Sequence, residues 1–299
     1  MSGRDSTVTG VTKYLRGGVI NGGGAAMNGR SHMETRTGLA LTGLAVTGLA
    51  LLLPAMAAAE GSFNGTWKTR IDSYKMTGKP DVFDLSKGLY RCSSCVPEVK
   101  VKADGSDQAV SGHDYYDAVA VRVLSPTAFE VENKHAGKLI SSIRYSVSDG
   151  GATLAAKFTD YTGSQPYSGS FTEKRVAGAP AGAHAASGSW QLDKVADVGD
   201  IGRTVSYTMS ADGLKMSWNG MSYDAQFDGK DYPMIGDPGN TVVALKRVGT
   251  DTIEETDKRD GKVTDILRST VSSDGKTMQV VDTDPVHETR VSYLMDKQP

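Results

Sequence analysis

Along most of the chain, apolar and polar residues alternate with a period of two. Val119, Val121 and Val123 are separated by Ala120 and Arg122, and far downstream Val243 and Leu245 are separated by Ala244 and Lys246. This period puts one set of side chains on each face of an extended segment, so these stretches predict half-buried β-strands. Between the strands lie dipeptides that tolerate positive φ, among them Asp104-Gly105, Ala136-Gly137, Asp149-Gly150, Asn219-Gly220, Asp228-Gly229, Asp260-Gly261 and Asp274-Gly275. They suit tight hairpins, and turn signals return roughly every eight to twelve residues. No amphipathic helix of useful length is predicted. Short strands joined by consecutive hairpins form a meander, which hides its edges most simply by closing into an up-and-down barrel.

The pattern occurs twice. Shifted by 124 positions, residues 228–278 lie without a gap on 104–154, and Asp104, Gly105, Val119, Ala120, Glu130, Lys134, Gly137, Arg144 and Thr153 are among the positions that meet their own kind. Roughly fifteen of about fifty columns are identical, several times the chance expectation, which marks an internal duplication. Gly65-Thr66-Trp67 is likewise echoed by Gly188-Ser189-Trp190. The expected organisation is all-β: one antiparallel barrel over 60–175, an Ala/Gly/Pro linker over 176–188, and a second barrel over 189–299.

The N-terminal region departs from this pattern. Residues 1–32 are Gly-rich without a hydrophobic period and predict a disordered or mis-called extension, with Met27 or Met33 as the true start. At 33–59 a short basic start, an apolar run from Leu39 to Leu53 and small residues spaced Ala-x-Ala predict a cleaved secretory signal peptide. The rival, a membrane-spanning helix, needs about twenty apolar residues, so no span is expected in the mature protein, which is read as periplasmic or secreted. Net charge of −2 and the absence of long Lys/Arg runs exclude a phosphate-tracking surface, and no nucleic acid is expected as partner.

A Gly-x-Trp opening the first strand of such a meander resembles the lipocalin and calycin barrels. The strings DGKDYPMIGDP, ALKRV, IEETDKRDGKV and VSSDGKTM resemble those of exported bacterial lipocalin-like proteins of uncharacterised function. The likeness covers most of both copies and is sharper in the second. The first copy has Ser111-Gly112-His113-Asp114 where the second has Ile235-Gly236-Asp237-Pro238. The resemblance implies a barrel whose tryptophan plugs its base beneath a late cationic side chain, Arg175 for Trp67 and Lys297 for Trp190.

The chemistry on offer is sparse. Cys92-Ser93-Ser94-Cys95 falls where the second copy has a hairpin turn. It predicts a local disulfide in an oxidising compartment, against a redox or metal role that would require a helix N-terminus or further ligands. His113, His135, His184 and His287 are expected to be solvated. The Asp104/Asp107 and Asp228/Asp231 pairs read as turn chemistry, lacking the ligand spacing of a calcium loop. If Asp260-Gly261-Lys262 forms a three-residue loop with a bulge, Glu255 lies opposite Asp265 and, by alternation from Ile253 and Val263, both face the second lumen. Two carboxylates there would make a polar, cation-attracting interior, whereas a one-residue slip would turn both to water. No nucleophile elbow, P-loop or dinucleotide fingerprint is present, so no catalytic residue, cofactor or metal is expected, and the chain reads as a non-enzyme. Two functions remain open: binding a small hydrophobic or amphipathic ligand inside the barrels, or acting as a structural or interaction protein of the cell envelope with filled barrels. Thiol–disulfide exchange at Cys92 and Cys95 is a weaker third.

Overall fold

The computed structural model describes residues 63–179 and 181–299. The expected extension at 1–32 and signal peptide at 33–59 lie outside the described residues. Two antiparallel ten-stranded sheets, each curled into a nearly closed barrel, hold 65% of the described residues. The turns use the predicted chemistry. Asp260 and Gly261 have φ of 48° and 74°, and Asn219 and Gly220 have 43° and 83°, the left-handed values a two-residue hairpin demands.

The strands are not apportioned by copy. Strand β1 (Gly65–Gly78) opens the first copy, yet it pairs with β12 (Thr204–Met209) on one side and β20 (Thr289–Lys297) on the other. Strand β11 (Gly188–Val198) opens the second copy, and it pairs with β2 (Asp81–Ser86) and β10 (Tyr167–Ala177). Barrel I is therefore β2–β11, and barrel II is β1 with β12–β20. This corrects the expected units at 60–175 and 189–299, which have exchanged their first strands. The reason is symmetry: both strands present a buried tryptophan in the same phase, so each fits either slot.

The tryptophan plugs follow the exchange. The Arg175 guanidinium lies 4.0 Å from the ring centre of Trp190, and Lys297 Nζ lies 5.3 Å from that of Trp67. The cationic caps exist as expected, but each covers the tryptophan of the other copy. Both indole N–H groups donate at 2.8 Å to a carbonyl four residues earlier, Phe63 for Trp67 and Ala186 for Trp190. Burial of each ring is complete, at 0% exposure.

The Ala/Gly/Pro tract is less free than its composition suggests. Gly178, Ala179, Ala181 and Gly182 are exposed, but Ala186 and Ser187 are buried, and the Leu85 amide donates to Ser187 Oγ at 2.8 Å. His184 Nε2 sits 2.7 Å from the Ser125 carbonyl oxygen.

The barrels touch where β1 runs close to β11, and again through a group of loops. Tyr115 of barrel I is buried there and donates to Asp237 Oδ1 of barrel II at 2.8 Å. Its ring lies against Gly239, its own counterpart in the other copy, where a β-carbon would come within 2.5 Å of the ring. Nearby, Ser164 N donates to the Asn219 carbonyl at 2.8 Å, and Tyr167 packs edge-on to Trp218. The loop spelled differently in the two copies, at 111–117 and 235–241, is therefore part of the joint between them.

Candidate functional site

The two interiors differ sharply. Barrel I is filled with rings: Phe83, Tyr90, Phe129, Tyr145, Phe158 and Phe171 are all buried, with neighbouring ring centres 4.7–6.5 Å apart. Barrel II carries acids at equivalent places. Glu255, Asp257, Asp265 and Asp282 occupy positions that in barrel I hold Val131, Asn133, Ser141 and Phe158. Asn133 Nδ2 donates to Ser141 Oγ at 3.0 Å, a neutral pair where barrel II has two aspartates.

The register of the acid cluster comes from one turn. Arg259 pairs directly with Lys262 across the two-residue turn Asp260-Gly261, and the bulge comes one step later, between Asp257 and Lys258. Asp257 thus lies opposite Asp265, and Glu255 opposite Leu267. The expected Glu255–Asp265 pairing is corrected: a two-residue turn followed by one extra residue, Thr264, on the far strand places Asp257, two positions nearer the turn, opposite Asp265. Of the two alternatives, facing inward or turned to water, burial supports the inward one: Asp265 is 1% exposed and Glu255 lines the lumen. Asp257 and Asp282, not singled out from the sequence, are 1% and 3% exposed. Alternation from Ile253 through Glu255 and Asp257 to Arg259 was a signal for the first of these.

Hydrogen bonds and one cation organise the cluster. Tyr223 Oη donates to Glu255 Oε2 at 2.7 Å. Arg259 is 4% exposed, and its Nε donates to Thr241 Oγ1 at 2.9 Å while its guanidinium lies 5.0 Å from the ring centre of Tyr115. Burial lowers its pKa, but Tyr115, Asp265, Asp237 and Asp257 outweigh that and hold it above the ordinary value, so it stays charged. A cavity of about 30 Å³ lies beside Glu255 and Asp257, walled by Tyr207, Trp218 and Tyr293 and reached by Thr69 from β1. Thr69 could not have been assigned here from sequence, since it belongs to the other copy. Among the described residues, no group of three or more acidic, His or Cys side chains is arranged to hold a metal ion.

Barrel I keeps a smaller acid pair. Glu173, 2% exposed, is hydrogen-bonded to Asp81, and burial, then the charge of Asp81, push its pKa well above the ordinary 4.5. Below pH 4.5 its protonated form contributes its full stabilisation, and this is lost as pH rises through the elevated folded value. Glu173→Gln removes the titration while keeping a donor for Asp81. Its melting temperature should match the parent's in acid and exceed it increasingly towards neutral pH. An offset constant across the pH series contradicts the assignment. Comparing variant with parent cancels His113, whose opposite slope arises because burial lowers its pKa to about 4.

The remaining sequence candidates are mostly structural. Cys92 and Cys95 form a disulfide across the turn after strand β3 (Leu89–Cys92), and both sulfur-bearing residues are buried. Burial denies the sulfurs the exposure a redox thiol needs. Three of the four histidines are not solvated as expected. His287 is 3% exposed and contacts Asp284 through Nδ1, His113 stacks on Tyr116 at 4.3 Å, and His184, within the linker, is half-buried against the Ser125 carbonyl. Asp104 and Asp228 each accept from the amide two residues on, at 2.9 and 3.0 Å, while Asp107 and Asp231 pair with Lys134 and Lys258. That is turn chemistry with an ion pair, repeated in both copies. No protein-family model matches this chain, and no curated protein is detectably similar to it in sequence.

Proposed function

We propose that this protein is an exported, non-enzymatic structural or interaction protein of the cell envelope, in which two filled barrels are locked into one unit by exchanging their first strands. The observation that carries this reading is the scale of the lumen. The space beside Glu255 and Asp257 is about 30 Å³, close to the volume of one water molecule, whereas ligand pockets run to roughly 300–1,000 Å³. The aromatic stack of barrel I supports the same view, because its rings occupy the place an acyl chain would take. A lipocalin-like role in carrying a hydrophobic ligand would require several of these rings to leave the interior.

The buried Cys92–Cys95 disulfide fits an oxidising compartment outside the cytoplasm. Among the described residues no helix is long and apolar enough to cross a membrane, a statement that does not bear on β-barrels. Partners then meet the outer faces of the barrels. Native mass spectrometry of the protein purified from its source tests the reading. The expected spectrum holds the polypeptide mass without a lipid-like adduct; a stoichiometric co-purifying lipid or other hydrophobic molecule overturns it.

A further inference from the structure

The charge inventory of the interior is lopsided. Among the described residues, Asp81, Asp160, Glu173, Asp237, Asp257, Asp265, Asp282 and Asp284 are buried, against Arg259 and His287 as the buried basic side chains. Buried charge is tolerated when it is paired, and a surplus must be neutralised by protons or by a cation from outside. In the lumen of barrel II the acids are concentrated: Glu255, Asp257, Asp265 and Asp282 all belong to this barrel, and the Arg259 guanidinium interacts with Asp265 and Asp257. A second cation, Arg203, stands at the edge of the cavity, but it is turned to Asp200 at 2.6 Å. The fold does not need these acids, since barrel I builds the same cylinder with Val131, Asn133, Ser141 and Phe158 in their places.

The cavity beside two of the acids has the makings of a receptor. Tyr207, Trp218 and Tyr293 supply aromatic walls, and Glu255 and Asp257 supply negative charge. Thr69 also lines it. Its hydroxyl oxygen is buried, on a residue 1% exposed, and has no hydrogen-bond partner among the described atoms. An unpaired buried hydroxyl points to an occupant that can bond to it. Aromatic faces with carboxylates are the chemistry that recognises ammonium groups, and a compact divalent metal would need more carboxylate ligands than are brought together here. A volume of about 30 Å³ admits one water-sized group.

We propose that the lumen of barrel II is a binding site for one small ammonium-type cation, held by Glu255, Asp257 and Thr69 within the Tyr207–Trp218–Tyr293 cage. Thr69 arrives on the exchanged strand, so the site is complete only when the two copies have traded β1 and β11. This inference goes beyond the filled-barrel reading and can fail without it, because a lumen holding one water is still a filled lumen.

Thermal melting of the full chain in ammonium chloride, methylammonium chloride, potassium chloride, sodium chloride and tetramethylammonium chloride at equal ionic strength tests it. Ammonium should raise the melting temperature above the potassium, sodium and tetramethylammonium values, with methylammonium showing how far the cage extends. In ¹⁵N-ammonium the bound ion should give a proton–nitrogen signal sheltered from exchange with water. Glu255→Gln and Asp257→Asn should each weaken binding about tenfold or more, the scale of losing one charged hydrogen bond. Because the readout is the increment due to the cation, it remains informative if removing a buried charge itself changes stability. Equal increments from potassium and ammonium, the absence of an ammonium increment, or an increment that persists in the Glu255→Gln/Asp257→Asn double variant each overturn the proposal.

Discussion

A protein cut between Ala181 and Gly182 should remain a single folded particle, its two pieces co-eluting and melting together. These residues are exposed, so a protease site placed there is accessible. The pieces stay joined because each holds a strand the other needs. Strand β1 makes eight register pairs with β20 and four with β12, and β11 makes eight with β10. Pulling the pieces apart would expose both tryptophans and open two unpaired edges in each barrel, costs far above the few kcal/mol that separate folded from unfolded domains. By the same reasoning, 63–181 and 182–299 produced separately should not yield well-folded monomers, and mixing them should restore a one-to-one complex. Size-exclusion chromatography and native mass spectrometry read both outcomes. Two independently folded, non-interacting halves contradict the exchange.

Replacing Trp67 with Ala should cost about 3–5 kcal/mol, the usual range for deleting a large buried ring. The informative part is where the damage falls. Trp67 sits in the first copy, but its ring is in barrel II under Lys297. Hydrogen exchange should therefore lose protection in β12–β20, while β2–β10 stay protected. Trp190→Ala should do the reverse, loosening β2–β10 beside Arg175. If each substitution instead weakens the strands of its own copy, the strand assignment is wrong. The two experiments are also controls for each other, since the substituted residues and their i−4 indole hydrogen bonds are alike.

Much of the architecture was legible in the residues. The alternation at Val119–Val123 and Val243–Leu245, the Asn-Gly and Asp-Gly turns, and the duplication together pointed to two all-β barrels, and the resemblance to lipocalin barrels added a plugging tryptophan to each. The strand exchange was not legible, for a physical reason. A pattern of period two states which face of a strand is buried, not which sheet it joins, and Gly65-Thr66-Trp67 and Gly188-Ser189-Trp190 make the same statement. The acid cluster was half legible. Alternation from Ile253 and Val263 gave the inward option for Glu255 and Asp265, but the two-residue turn with Thr264 as an extra residue makes Asp257 the facing partner of Asp265, and Asp282 replaced a ring that the first copy keeps as Phe158. Thr69 was beyond reach because its neighbours are set by tertiary structure alone. The histidines failed for a related reason: His287 and His113 are polar in sequence, and what buries them is the packing of loops and barrels.

The strand exchange itself is tested most directly by cross-linking. Thr66 and Ser206 face each other across the β1–β12 pair, with their hydroxyl oxygens 3.0 Å apart. Ser189 is paired with Val82 in the same way. Were each copy to keep its own first strand, Ser206 would meet Ser189 instead, and Thr66 would meet Val82. Cysteines introduced as Thr66→Cys/Ser206→Cys should therefore close a disulfide within one chain under mild oxidation, and Ser189→Cys/Ser206→Cys should not. Efficient closure of the 189–206 pair with failure of the 66–206 pair would mean that each copy folds on its own strand.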